Sequence, residues 1–399
     1  MKYNKKQIRK AGITLKEDEH DDGAPDILSV WRASHASSLE TAYHELKKFA
    51  IKIDSKAVVA KRLKRTPSII SKLIRFDGVS EQSSGYGSMK LDNMNDIGGC
   101  RAIVSTIKKL YQLTNRVKRY NGFKLQKDYI ANPKDSGYRG IHLIGKVKNE
   151  DDEDRFIEIQ LRTKVQHAWA TAVEIVDLFT NQSIENTHGD KRIRQSIKTD
   201  SGNKEWSNFF KYTSELFALL ENNSQLHLSN PQTVYRNFEK LYLAEYSKKY
   251  SFSFYMANKL WKKLQIDKKF KAFAESIKIS AEQINHIPQP GYVLVTINEI
   301  DEKSLGIRSE FFPIDQFDKA IEMYLISEKE YLSHQNFVTA LVSTDSIGGI
   351  KEAYPNYFAD STIFLNYLHI VMHVYKSHNT YIDDVINTFE YWKNSVFGR

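Results

Sequence analysis

From Leu28 to Phe49 the side chains that avoid water fall three and four positions apart, through Trp31, Leu39, Ala42 and Leu46, with His35 in line. That period predicts an amphipathic helix over about Ile27–Ala50, with Asp26 after Pro25 as its N-cap. Short apolar runs and period-two alternation then predict strands at Ala57–Lys64, Cys100–Ser105, Phe123–Ile130, Tyr138–Val147 and Phe156–Leu161. Pro67 opens a short helix, Ser68–Arg75. Ile107–Tyr120 reads as a basic helix and Val165–Phe179 as another. The order β-α-β-α-β-β-β-α predicts an α/β (α+β) fold, a mixed β-sheet flanked by helices, with at least three strands able to pair as hairpins.

The remaining pattern divides the chain. Residues 1–26 are polar, end in KEDEHDDG and are expected to form a mobile tail. Asn181–Asn203 reads as an exposed loop, and Trp206–Asn222, Thr233–Lys249 and Ser253–Ile277 as helices. Ile287–Gly291 (IPQPG) is a stiff turn. A hairpin follows (Tyr292–Ile297 with Leu305–Phe312), then a helix Phe317–Leu332, a strand Phe337–Val342 and helices from Ile347. The expected division is a main domain 27–252, a connecting helix 253–286 and a small β-β-α-β-α domain 287–399.

Composition narrows the classes. The chain has 399 residues, 41% of them apolar, enough for a real core. No run approaches the ~18 apolar residues of a membrane span, and the N-terminus lacks the apolar stretch of a signal peptide. A single cysteine, Cys100, excludes an internal disulfide framework and a multi-cysteine zinc site, so a cytoplasmic protein with no membrane partner is expected. His20–Asp21 is a lone pair without further ligands. The net charge of +9, from 58 basic and 49 acidic residues, favours a phosphate-rich partner.

Candidate chemistry concentrates between Asp96 and His167. Asp96 opens DIGGCR, and Glu158 lies in EIQLRT on an alternating strand, so Glu158 and Gln160 share one face, with Arg162 next in line. Magnesium is satisfied by one or two carboxylates plus phosphate oxygens, which two acids among basic segments can offer. Arg62, Lys64, Lys72 and Arg75 supply four charges, and Ser68, Lys72 and Arg75 fall on one helix face. That face suits a polyphosphate, and a solvated basic face fits it equally. Tyr138, after Gly137, can stack on a base, and Arg62 and Arg101 can sandwich a second by cation–π contact. His142 and His167 are more often structural histidines than catalysts.

Taken together, RLKRTPSIISKLIR (Arg62–Arg75), DIGGCR (Asp96–Arg101), SGYRGIH (Ser136–His142) and EIQLRT (Glu158–Thr163) resemble the motifs of RelA/SpoT-type alarmone synthetases, in order and spacing. The resemblance implies a nucleotidyltransferase-like domain that transfers pyrophosphate from ATP to a ribose 3′-hydroxyl. It implies that Arg62 and Arg101 hold adenine, that Lys64, Ser68, Lys72 and Arg75 hold phosphates, and that Asp96 and Glu158 bind Mg2+, Glu158 also polarising the attacking hydroxyl. Tyr138 then stacks on the acceptor, with Lys134, Arg139, His142 and Gln160 beside it. Ser136-Gly137 and Arg139-Gly140-Ile141-His142 depart from the guanosine-tetraphosphate makers and look more like the toxic small synthetases, which modify the 3′ end of tRNA. Lys47, Lys48, Lys134 and Arg139 are then candidate tRNA-facing groups. A free-nucleotide synthetase and a non-catalytic phage-sensing or nucleotide-binding module are the alternatives. Residues 342–364 resemble the antitoxin end of CapRel, a fused toxin–antitoxin of phage defence. There a Tyr-x-x-Tyr segment, matched by Tyr354 and Tyr357, plugs the ATP site until a phage capsid protein binds. Core packing of both tyrosines is the other reading.

Overall fold

The computed structural model describes residues 3–17, 23–64, 66–76, 89–120, 122–179, 183–184, 193–194, 204–222, 231–271, 291–299, 305–316, 319–320, 322–323, 326–327, 337–343 and 362–378. Contacts divide the chain into two compact units. The first holds residues 1–134, 139–164 and 181–196, and the second the rest.

The first unit is built on a five-stranded sheet in the order β1-β2-β5-β4-β3. Its strands are β1 (Val58–Leu63), β2 (Gly98–Val104), β3 (Lys124–Asp128), β4 (Ile141–Lys148) and β5 (Asp154–Thr163). β3, β4 and β5 run antiparallel in sequence, as the alternation predicts, while β2 pairs with β5 in parallel. Ile157, Ile159 and Leu161 on β5, with Cys100 and Ala102 on β2 and Ile141 and Leu143 on β4, form one core. Helices α3 (Ala36–Ile53) and α5 (Ile107–Lys118) cover it through Leu39, Ala42, Leu46 and Phe49 and through Leu110, Leu113 and Val117. Each buried Leu, Ile, Val or Phe among them contributes about 1.5–3 kcal/mol relative to exposure. Thr106 caps α5, its Oγ1 accepting from Lys109 N at 3.0 Å.

Two expectations are corrected here. The helix read as continuous over 27–50 is two helices, α2 (Ala24–Ala33) and α3. Trp31 O is taken by side chains instead of by the amide four residues on: Ser34 Oγ donates to it at 2.7 Å and His35 Nδ1 at 2.9 Å. The His35 amide turns to Arg32 O, and the helix breaks. The N-terminal stretch expected as a mobile tail contains α1 (Lys5–Glu17), which buries Ile8, Ala11 and Leu15 against Leu28, Trp31 and Leu91. Arg9 Nη2 also pairs with Asp92 at 2.7 Å. Helix α4 (Thr66–Arg75) adds Ile69, Ile70 and Leu73 to the same core.

The second unit is mainly helical. It contains α6 (Lys164–Phe179), α7 (Lys204–Asn222), α8 (Pro231–Leu241) and α9 (Ser251–Lys263). A π-type turn at Tyr242–Tyr246 follows α8. The expected helix Ser253–Ile277 stops at Lys263, where Gln265 adopts a positive φ of 51°, and resumes over 266–271. Residues 362–378 are helical, and Phe364 packs on Phe209, Phe210 and Phe217 of α7 and on Phe270. The hairpin predicted after residue 291 is present as β8 (Gly291–Glu299) and β9 (Leu305–Pro313), with β10 (Phe337–Ser343) on the other side of β8. Between residues 181 and 203, expected to be a loop, two-residue strands β6 (Ser183–Ile184) and β7 (Ile193–Arg194) pair in the first unit. Tyr354, Tyr357, His20, Asp21 and most of the expected helix 317–332 lie outside the described residues. No described helix is long and apolar enough to cross a membrane.

Candidate active site

The site grows out of strand register. Arg62 on β1 pairs with Gly99 on β2, Gly99 with Glu158 on β5, and Glu158 with Ile144 on β4. Two residues along, Ala60, Arg101, Gln160 and His142 form the next row. Registered partners share a face, so Arg62, Arg101, His142, Glu158 and Gln160 all project from the side opposite the Ile157–Ile159–Leu161 core. Gly99 leaves room between Arg62 and Glu158: among the described residues a Cβ there would meet only Glu158 O, at 3.7 Å.

Asp96 enters from the turn before β2. Lys64 Nζ reaches one of its oxygens at 2.8 Å and Lys72 Nζ the other at 2.9 Å, one lysine following β1 and the other on α4. The Lys64 amide donates to Ile97 O at 2.7 Å, which ties the end of β1 to the acid's own segment. Burial alone pushes Asp96 up; the charges and hydrogen bonds of the two lysines outweigh it and hold the carboxyl at about 2. Burial lowers the Lys64 ammonium despite Asp96, and Lys72 and Arg62 add repulsion. This is a cluster of cations around one fixed anion.

Glu158 is fixed differently. Gln160 Nε2 donates to its Oε2 at 2.7 Å, and His142 Nδ1 lies 3.1 Å from Oε1. Burial pushes Glu158 up and the charge of Asp96 pushes the same way. The hydrogen bond and charge of His142, with Gln160, more than reverse both, so the carboxyl sits below its usual range. The charge of Asp96 reaches Glu158, so the two acids of this unit lie within electrostatic range of each other. His142, read above as more often structural, is therefore part of the acid's support. Tyr129, which the sequence did not single out, stands edge-on to the His142 ring at 5.4 Å, and Lys134 Nζ lies 4.9 Å from the Tyr129 ring centre. Nothing in YIANP distinguishes that tyrosine; only the pairing of β3 with β4 brings it to the histidine.

The other expected residues are placed as follows. Ser68 is exposed on α4, and the Arg75 side chain lies outside the described residues. Arg139 is half-buried and near enough to Tyr111 for its charge to act on that hydroxyl. Arg162 Nη2 reaches Gln160 Oε1 at 3.5 Å. Lys47 lies over the Tyr43 ring at 5.7 Å, and Lys48 is exposed on α3. Tyr138, expected to stack on a base, belongs to the second unit and is 6% exposed, edge-on to Trp169. His167 is also in that unit and buried.

The donor set of Asp96 and Glu158 fits a magnesium ion that takes its other ligands from phosphate and water. Among the described residues no cluster of three or more His, Cys, Asp or Glu forms a complete protein cage.

Residues 61–176 match the family described as a region found in RelA / SpoT proteins. The chain is 35% identical over 115 residues to GTP pyrophosphokinase YwaC of Bacillus subtilis, covering 28% of this chain and 52% of that protein. It is 30% identical over 87 residues to GTP pyrophosphokinase YjbM of the same organism, covering 21% and 41%. The chain thus spans about half the length of the curated relatives it matches. Among solved structures, small alarmone synthetase 1 of Bacillus subtilis bound to its product pppGpp aligns with a TM-score of 0.36 and 19% identity, over 48% of this chain and 90% of that one. Small alarmone synthetase 2 of the same organism gives 0.35 and 21%, over 48% and 93%. Asp96, Glu158 and the two lysines all lie within residues 61–176, the stretch that matches the region found in RelA / SpoT proteins.

Proposed function

We propose that the chain is an ATP-dependent pyrophosphokinase that moves the terminal pyrophosphoryl group of ATP to a ribose 3′-hydroxyl, releasing AMP. The observation that supports this is the gathering in one unit of two acids held below their usual range, Asp96 gripped by two lysines and Glu158 by His142 and Gln160, with the charge of Asp96 reaching Glu158. Phosphoryl-type transfer asks the protein chiefly for position and charge. Lys64 and Lys72 exchange Asp96 for phosphate oxygens when the triphosphate enters, with Ser68 and Arg75 along the same helix. Arg62 and Arg101 flank adenine. Glu158, aimed by His142 and Gln160, accepts the hydrogen bond of the attacking hydroxyl and then its proton. Magnesium held by Asp96 and Glu158 would supply charge neutralisation along the polyphosphate.

The acceptor we favour is the 3′ end of tRNA, read from Ser136-Gly137 and Arg139-Gly140-Ile141-His142, with Tyr138 stacking on its terminal base. Lys47, Lys48, Lys134 and Arg139 then contribute sequence-independent phosphate contact, in keeping with the +9 charge. Restraint by Tyr354 and Tyr357 and release by a phage protein belong to the same reading. A free guanine or adenine nucleotide as acceptor is the second reading, and the names of the relatives, both GTP pyrophosphokinases, favour the guanine form of it. Incubation with β/γ-labelled ATP and either tRNA or a free guanine or adenine nucleotide separates the readings. Label on tRNA supports the first, label on a free guanine or adenine nucleotide alone the second, and label on none of these, with any trigger, removes the enzyme.

A further inference from the structure

Tyr138 is the residue on which acceptor stacking rests, yet its ring is not on offer. It is 6% exposed and lies edge-on to Trp169 of α6, 6.5 Å between centres. Trp169 is itself fixed, its Nε1 donating to Phe210 O on α7 at 2.9 Å and its ring edge-on to Phe210 at 5.8 Å. The residue before Tyr138 is held as firmly. Ser214 Oγ of α7, 5% exposed, donates to Gly137 O at 2.5 Å. The loop comes so close to α7 that a Cβ on Gly137 would stand 2.9 Å from Ser214 Cβ and 3.1 Å from Lys211 Cα.

The same four residues have the means to move. Gly137 and Gly140, on either side of Tyr138-Arg139, have φ of +89° and +157°, a region where glycine changes conformation at little cost. A base can stack on a tyrosine only through an open ring face. A loop with a glycine at each end and its central ring covered can take a second arrangement, and the hydrogen bond from Ser214 biases it toward this one. Helix α7 lies beyond residues 61–176, so the contact is made by a part of this chain outside the matched region. Phe210 also touches Phe364 of the 362–378 helix at 6.0 Å, which puts the latch in contact with the C-terminal segment.

We propose that Ser214 and Trp169 are positioning residues that keep Tyr138 stowed, and that α7 thereby gates access of the acceptor to its stacking ring. The proposal rests on the role given to Tyr138 above, and its test is arranged to fail separately from that role. Ser214→Ala removes one hydrogen bond with little change of volume, Ser214→Thr keeps the hydroxyl, and Trp169→Phe removes the indole N–H.

Hydrogen exchange of the amides at 137–140 reads the latch without any activity. Ser214→Ala and Trp169→Phe should raise their rates about fivefold or more, the scale of one lost hydrogen bond, while Ser214→Thr stays near wild type. In turnover, Ser214→Ala should lower the KM for the acceptor several-fold and leave the KM for ATP unchanged. Unchanged exchange in Ser214→Ala, or a raised acceptor KM, overturns the latch, the second making Ser214 a support for the bound state. Faster exchange in a chain that transfers no pyrophosphate to any acceptor keeps the latch and removes the proposed reaction.

Discussion

At the scale of single residues, the two acids differ in what holds them, and their variants should differ accordingly. Asp96→Asn leaves Lys64 and Lys72 facing each other without their anion. We expect it to lose roughly 10²–10³-fold in kcat, as for removal of one preorganised electrostatic group, and to weaken ATP binding. Glu158→Gln keeps a hydrogen-bonding group beside His142 and Gln160, so ATP binding should survive while kcat falls by a comparable factor. Steady-state kinetics with ATP varied distinguishes the two; loss of ATP binding in both would argue against separate duties. Gly137→Ala faces both a positive φ and a clash with α7. It should cost about 1–3 kcal/mol, read as a lower urea midpoint. The acids were legible in the sequence because each sits in a short motif on a strand or turn of clear pattern. The stowing of Tyr138 was not, because the hydroxyl that fixes the loop is 77 positions away in the chain.

At the scale of elements, strands were legible wherever apolar and polar residues alternate, and β5 is the clearest case. The break between α2 and α3 was not, because periodicity runs through it: the buried face continues from Trp31 to Leu39, and only the capture of Trp31 O by Ser34 and His35 divides the helix. That junction has a consequence for stability. His35 is 1% exposed, and burial, with Arg155 nearby and in spite of its bond to Trp31, lowers the imidazole to about 4 from 6.5. The fold therefore favours the neutral ring, and the unfolded chain binds the proton first. The stabilisation is complete above pH 6.5 and is lost as pH falls toward about 4, on the order of 3 kcal/mol in all. Urea midpoints across that window should fall in wild type. In His35→Gln, less stable throughout, this component of the slope should be absent; an equal slope in both would assign the effect elsewhere.

At the scale of the whole molecule, the match to the region found in RelA / SpoT proteins covers residues 61–176, and long stretches on both sides lie outside it. The N-terminal helix escaped the sequence reading because Ile8, Ala11 and Leu15 are spaced for a helix face but stand among charges in a short segment. The hairpin of β8 and β9 was legible from its two apolar runs, while the turn expected at 287–291 lies almost wholly outside the described residues. If Tyr354 and Tyr357 restrain the enzyme, Tyr354→Ala or Tyr357→Ala should make expression toxic, and adding Asp96→Ala should restore growth. Harmless tyrosine variants of a chain already shown to transfer pyrophosphate would defeat that restraint. The account stands most directly on one measurement: transfer of label from β/γ-labelled ATP to a 3′-hydroxyl acceptor, with and without Mg2+, in wild type, Asp96→Asn and Glu158→Gln. It predicts magnesium-dependent labelling by wild type, with AMP formed in equal amount, and near-background labelling by either variant. Wild-type levels of labelling by both variants would contradict it.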